Sequence, residues 1–260
     1  MKTILCTLLV AGLPGLLCAQ TGPMLQILSQ KDIGVRSQHG FGNSQQVVFS
    51  DQVCVTNARG QLMCGRLTFN FPPETAADHH PTNAIAETNL VVLFFDSKGG
   101  TNRLAADQGV YDHTVAHGTT NELFTFTSNA GKNVRLTSPQ GWLTCQRLTL
   151  HLPPLGAADN HPTNAVAESN LVVEYVNKDH ETNHLTADQG IYNYSVVEGI
   201  TNETFTFTGH ATNTMAQGWM TGEPLVWDVA NNSFKIDSNV QIHFRMRHAE
   251  GDTNDSPNHL

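Results

Sequence analysis

Charge is scarce in this 260-residue sequence: 14% of it is Asp, Glu, Lys or Arg, and 14 basic residues face 23 acidic ones. No basic cluster is dense enough to follow a phosphate backbone, so nucleic acid is not an expected partner. Long hydrophobic runs are lacking as well. The first one, from Ile4, is broken at Pro14-Gly15 and falls short of the roughly 18 apolar residues of a membrane span, and no later segment is longer. No helical period persists long enough to cross between parallel strands, which excludes an α/β fold. A Gly-rich phosphate loop, a nucleophile elbow and paired inward carboxylates are also missing. No enzymatic activity is expected, and no cofactor.

What is present begins with a leader. Met1-Lys2 is a positive start, an apolar run follows, and small residues close it at Cys18-Ala19. This predicts a secretory signal peptide over residues 1–19 and a mature chain from Gln20. Cys18 invites a lipoprotein reading, but Leu17 stands where a small residue is needed. Beyond the leader three cysteines remain, Cys54, Cys64 and Cys145, and an odd number leaves at least one thiol unpaired within the chain. Cys54 and Cys64 flank Asn57-Ala58-Arg59-Gly60. They either face each other across a hairpin or serve as small buried apolar residues.

The chain also repeats itself. Residues 60–130 align without gaps on 141–211, an offset of 141 − 60 = 81, with roughly 40 of 71 positions identical. Pro72-Pro73 returns as Pro153-Pro154, His80-Pro81-Thr82-Asn83 as His161-Pro162-Thr163-Asn164, and Ala106-Asp107-Gln108-Gly109 as Ala187-Asp188-Gln189-Gly190. A shorter third copy spans 218–244, and Val47-Val48-Phe49-Ser50 reads as a degenerate start. The expected organisation is one repeat domain over 20–244, with a polar, disordered tail over 245–260.

Within each copy the apolar period is two, the mark of strands with one buried face. Leu67, Phe69 and Phe71 alternate with Thr68 and Asn70, Leu148, Leu150 and Leu152 with Thr149 and His151, and the third copy offers Leu225, Trp227 and Val229. Phe124 and Phe126 alternate with threonines, as do Phe205 and Phe207. The run Leu90 to Phe95 is apolar throughout, but Leu93 is replaced by Glu174 in the second copy, which turns that position outward. Leu90, Val92, Phe94 and Leu171, Val173, Tyr175 therefore point inward. Turn residues punctuate these runs every eight to twelve residues, so the expected fold is all-β, an antiparallel meander stacked copy on copy. Two longer loops, 72–83 and 153–164, leave the stack at equivalent places.

Two motifs suggest metals. His180-Glu181-Thr182-Asn183-His184 matches the HExxH pattern of zinc hydrolases, whose histidines share a face only on a helix. The local period is two, and the first copy has Gly99-Gly100-Thr101-Asn102-Arg103 there, without ligands. An exposed hairpin turn is the better expectation. Asp78, His80, Asp159 and His161 on the long loops form a borderline metal constellation. Asp or Asn ahead of His-Pro also makes a good local turn, and duplication alone explains the identity.

The cadence Ala187-Asp188-Gln189-Gly190-Ile191-Tyr192, then Phe205-Thr206-Phe207-Thr208, then Trp219-Met220-Thr221-Gly222-Glu223-Pro224-Leu225 resembles the LptA/OstA-like family. It recurs in the first copy from Ala106, through Phe124, to Leu148. Resemblance covers about residues 25–240. Cys145 and Gly222 depart from the usual small residue before Asp, and the loops at 72–83 and 153–164 are long for the family. It implies a stacked antiparallel β-jellyroll, a "β-taco", and a periplasmic lipid-binding or bridging protein of lipopolysaccharide transport. The nineteen inward side chains, from Leu67 to Val229, would then contact acyl chains. Lipopolysaccharide or another acylated lipid would be the ligand. Related jellyroll proteins, or further copies head to tail, would dock at edges expected near Val47–Val55 and Phe234–Phe244. The competing expectation is an exported β-repeat structural or adhesion protein with a closed core.

Overall fold

The computed structural model describes residues 34–57, 60–76, 80–95, 100–116, 119–153, 162–176, 180–228, 231 and 233–244. Among them regular structure is all strand, gathered into one 16-stranded antiparallel sheet. The first strands are β1 (Gly34–Arg36), β2 (His39–Gly42), β3 (Gln46–Asn57), β4 (Gly60–Asn70), β5 (Asn83–Phe95) and β6 (Thr101–Ala116). Then come β7 (Thr119–Thr127), β8 (Val134–Ser138), β9 (Gly141–Cys145), β10 (Arg147–Leu152), β11 (Asn164–Val176) and β12 (Thr182–Val197). The last are β13 (Ile200–Thr208), β14 (Thr212–Met215), β15 (Gly218–Asp228) and β16 (Ser233–Phe244). In the repeat, β5, β6 and β7 have the same lengths as β11, β12 and β13, with bounds 81 residues apart.

The sheet is folded over on itself because its long strands bend in the middle. Each bend is a break in register: between Ser50 and Val53 in β3, Met63 and Arg66 in β4, Glu87 and Leu90 in β5, Glu168 and Leu171 in β11. Pairs of left-handed residues make three of these corners, Asp51-Gln52, Thr88-Asn89 and Ser169-Asn170. Each pair is a bulge that turns the chain out of the plane of one layer and into the other. Where one long strand would otherwise run, β7 and β8, β9 and β10, and β13 and β14 are split at the same corner.

Two layers result. One holds the β5 segment Leu90 to Phe95, the start of β6, then β8, β9, the end of β11, the start of β12, β14 and the start of β15. The facing layer holds the other halves, with β7, β10 and β13. Inward residues of both layers form a single apolar core along the whole stack. Outward positions are largely Thr, Asn and charged residues, as strands with one buried face require.

Three expectations need correction or placement. Cys54 lies opposite Met63, and Cys64 opposite Val53, so the hairpin forms but the thiols do not face each other; both are buried and free, as is Cys145. Val47–Val55 is not an edge: β1 and β2 pair with β3 and cover it. At the other end β16 pairs only with β15 among the described residues, as expected. The leader, the tail and Val229 lie outside the described residues.

Candidate functional site

The interior between the layers is the candidate site, and its walls can be followed strand by strand. One row of the layer holding β7 and β10 runs Leu67, Ala86, Gly109, Phe126, and then Leu148, Ala167, Gly190, Phe207, ending Leu225, Ile236. Its neighbour runs Phe69, Ala84, Tyr111, Phe124, then Leu150, Ala165, Tyr192, Phe205, Trp227 and Phe234. The facing layer carries Leu62, Val92, Leu104, Leu136, Leu143, Val173, Leu185, Asn213 and Met220 in one row.

The structure buries nearly all of the side chains that periodicity turned inward. Leu67, Leu90, Val92, Phe94, Phe124, Phe126, Leu148, Leu150, Leu152, Leu171, Val173, Tyr175, Phe205, Phe207, Leu225 and Trp227 are core residues. Phe69 is half-buried against them, and Phe71, just past the end of β4, sits 6.3 Å from Phe69 between ring centroids. Phe124 and Phe126 stack at 6.2 Å, Phe205 and Phe207 at 6.3 Å, and Trp227 lies between Phe205 and Phe234 at 5.6 and 5.8 Å. The expected ladder of Leu67, Leu148 and Leu225 is real, but three strands separate each rung from the next, and their small residues change what the wall can do.

Alanine and glycine leave the wall shallow on β5, β6, β11 and β12. Beside Ala84, Ala86 and Gly109 the layers enclose an apolar cavity of about 30 Å³ against Leu90, Phe124 and Phe126. Beside Ala165, Ala167 and Gly190 they enclose a second of about 20 Å³ against Leu171, Phe205 and Phe207. The glycines let the facing leucines approach closely. A Cβ on Gly109 would sit 2.6 Å from Leu90 Cδ2, and one on Gly190 2.5 Å from Leu171 Cδ2. Asp107, between Ala106 and Gly109 in the repeated Ala-Asp-Gln-Gly motif, accepts the Asn129 backbone N–H at 2.8 Å and Lys132 Nζ at 3.1 Å. Those bonds hold its carboxyl below the ordinary range, the backbone donor first. In the second copy Asp188 pairs with His210 at 3.2 Å. The motif thus ties the corner between β7 and β8, and between β13 and β14.

Polar groups in the interior are few. Periodicity did not pick out Glu122 and His113, which lie opposite each other on β7 and β6 with Nδ1 3.5 Å from Oε1. Burial raises the Glu122 carboxyl above its ordinary range, and His113, with His80 and Tyr111 nearby, pulls it back. The Tyr111 hydroxyl lies 3.4 Å from His113 Nδ1, and His80 brings its ring within 5.9 Å of His113 from the loop after β4. The signal available in sequence was an acidic residue at an inward phase of a strand, Glu122 two residues before Phe124. Burial also raises the Cys64 thiol to about 11 and the Cys145 thiol to about 12, so both are protonated at neutral pH and unsuited to thiolate chemistry.

The zinc motif is not helical. His180 is an exposed turn residue with φ 61°, and His184 is an exposed residue of β12 opposite Glu174. Glu181 accepts both oxygens' bonds from Gln217 Nε2 at 3.0 Å. Of the loop constellation, Asp78, Asp159 and His161 lie outside the described residues, and His80 is exposed. The shared Pro-Thr-Asn has a structural role. Asn83 Nδ2 donates to Tyr111 O at 3.1 Å and Asp112 Oδ1 at 2.7 Å, and Asn164 Nδ2 to Tyr192 O at 3.1 Å and Asn193 Oδ1 at 2.8 Å.

No family model matches the chain, and no curated protein matches it in sequence. Among solved structures it is similar to LptH from Pseudomonas aeruginosa, described as the LptA-homologous periplasmic component of the lipopolysaccharide transport device. That likeness has 7% sequence identity and a TM-score of 0.22, and covers 83% of this chain and 96% of that one.

Proposed function

We propose that this is a periplasmic lipid-binding or bridging protein that holds acyl chains between its two layers. The observation that carries this reading is the pair of apolar cavities at equivalent places in the two copies, each over an Ala-Ala-Gly patch and each walled by stacked phenylalanines. A wall built only to close would carry larger side chains at the alanines of each patch, because a core gains stability from every methylene that fits. Opening the cavities into a groove means parting the layers on the side away from the corners. Each methylene taken from water then contributes about 0.8 kcal/mol. No catalytic group is needed.

The ends of the stack support a bridging role. On β16 Val240, Ile242 and Phe244 are exposed, and Ile242 lies opposite the buried Met220, so the inward row continues to the edge uncovered. An unpaired edge with an apolar inner face invites another strand. Related jellyroll proteins, or β1 and β2 of a second copy, would extend the groove head to tail. Static light scattering over a hundredfold concentration range reads this, and Ile242→Lys is expected to reduce the growth.

The size of the cavities favours one rival, an exported structural protein with a closed core, since 20–30 Å³ holds no more than a water or two. Native mass spectrometry of the mature protein purified from its own host separates the two. Co-bound acylated lipid is expected. It should be lost in Ala86→Val with Ala167→Val, which fill the cavities, and in Phe126→Asp or Phe207→Asp, but kept in the outward Thr125→Asp and Thr206→Asp. Wild-type protein free of lipid would establish the closed core.

A further inference from the structure

Beyond its phenylalanines, the inward face of the first copy ends in ionisable groups. Glu122 on β7 and His113 on β6 are the last inward residues before the β6–β7 hairpin leaves the core, since Thr114 and Val115, which follow, are exposed. β10 stops at Leu152, opposite Glu122, and Thr82 ahead of β5 accepts the His113 backbone N–H at 2.9 Å. The pair therefore lies at the edge of its layer farthest from the corner at Thr88-Asn89. That edge is the mouth of the first copy's interior.

Glu122 is 0% exposed and His113 6%. His113 Nδ1 lies 3.5 Å from Glu122 Oε1 and 3.4 Å from the Tyr111 hydroxyl, and Tyr111 is also a wall of the first cavity. From the loop after β4, the exposed His80 brings its ring within 5.9 Å of the His113 ring. Burial favours the neutral acid, and His113, His80 and Tyr111 are the groups that act against it. On the adjoining strands Leu152 adds no charge, and Asp112 and His151, both opposite Leu123, belong to the outward phase.

A single proton shared by Glu122 and His113 leaves the pair without net charge, whether as acid with imidazole or as carboxylate with imidazolium. A second proton leaves a cation enclosed in an apolar wall with another imidazole facing it, and a buried charge without a partner is costly. Histidine is the side chain that gains charge between about pH 8 and about pH 5. We propose that Glu122, His113 and His80 form a proton-operated latch, which holds the mouth of the first copy's interior closed with one proton bound and releases it when acid adds the next. Release parts His80 from the end of β6 and β7 and frees Tyr111, so it loosens one wall of the first cavity. In the second copy Tyr194 stands in the place of His113 and gains no charge in that range, and Glu203, in the place of Glu122, is half-buried. The latch governs access to the interior and holds whether or not that interior takes lipid.

Hydrogen exchange of the full mature protein tests this between about pH 7.5 and about pH 5, read as protection factors so that the intrinsic pH dependence drops out. Amides of residues 109–113 and 122–126 should lose protection about tenfold over that range, and those of 190–194 and 203–207 less than about twofold. His113→Tyr, which installs the second copy's residue, should keep the first copy's protection level throughout. His80→Asn, an exposed change that leaves the core intact, should cut the loss to about half or less, and it decides alone if His113→Tyr does not fold. Equal loss in both copies is general acid unfolding and overturns the latch. So does wild-type protection that stays constant with pH, or a loss that persists undiminished in the variants. None of these outcomes depends on bound lipid, so the latch can fail while the lipid reading stands.

Discussion

Phe94 and Leu136 close one layer of the first copy with hydrocarbon, and at the matching places the second copy sets Tyr175 and Asn213. In the other layer the order reverses. The first copy buries His113 against Glu122, whereas Tyr194 and Glu203, their counterparts, are half-buried. The walls around these differences hardly change: Ala84 and Ala165, Ala86 and Ala167, Gly109 and Gly190, and Phe126 and Phe207 match pair by pair. Packing between layers fixes the glycines, because a Cβ on either meets a facing leucine. Polar residues in the interior follow no such constraint, and their shift from one layer to the other separates what both copies of the fold need from what each can vary.

Exchanging the differing residues breaks the comparison most sharply. Leu136→Asn removes a buried leucine and buries an amide in its place, and is expected to cost about 3–5 kcal/mol. The reverse exchange, Asn213→Leu, should stabilise the ligand-free protein by about 1–3 kcal/mol, since it replaces a fully buried amide with hydrocarbon. Urea unfolding measures both. Equal and small effects would mean that the amide at 213 is satisfied in solution.

The next effect tests what the copies share. Gly109→Val and Gly190→Val each drive a side chain into the facing leucine, Leu90 or Leu171, and each should cost about 1–3 kcal/mol by overpacking. The two costs should agree to within about 0.5 kcal/mol. A large inequality would show that the two floors differ.

A third experiment isolates the buried acid of the first copy. The folded state raises the Glu122 pKa, chiefly by burial, so folded protein binds the proton more tightly than unfolded chain does. The stability tied to neutral Glu122 is fully present below the unfolded glutamate value. It is lost as pH rises through the raised folded value. Glu122→Gln should therefore flatten the stability profile over that window, measured as melting temperature against pH.

Much of this fold was legible in the sequence, and the parts that were not have a common cause. Alternation placed Leu67, Phe126, Leu148 and Phe207 inward, and all four are buried. It concealed the corners, because the bulge at Thr88-Asn89 inserts two residues. The inward phase Ala84, Ala86 therefore continues unbroken as Leu90, Val92, Phe94. Asn at 89 and 170, the residue type most at ease in the left-handed region, was the available signal. In β4 the phase does shift, from Leu62 and Cys64 to Leu67, and there a bend could have been read. The covering of β3 by β1 and β2 was missed because Gly34, Gly40 and Gly42 weaken any strand pattern. The full burial of the polar side chains of Tyr175, Asn213 and Trp227 depends on which strands meet across the interior, and a one-dimensional period contains nothing about that.

The smallest expected effect concerns the motif that looked most like chemistry. His180 and His184 could share a metal only if the three residues between them wound through one helical turn. Instead β12 begins at Thr182, His180 precedes it in a left-handed turn conformation, and Asn183 next to His184 points into the core, 1% exposed. That phase turns His184 outward, beside Glu174, whose Oε1 already accepts Trp142 Nε1 at 3.1 Å. A solvated strand residue with a weak cross-strand neighbour contributes little. His184→Ala is therefore expected to shift stability by less than about 0.5 kcal/mol, and dialysed wild-type protein to hold no stoichiometric zinc by elemental analysis. Zinc retained by the wild type and released by His184→Ala would require this segment to leave the strand for a helix. It would also break the equivalence with Thr101-Asn102-Arg103, where the first copy runs the same strand with no ligands at all.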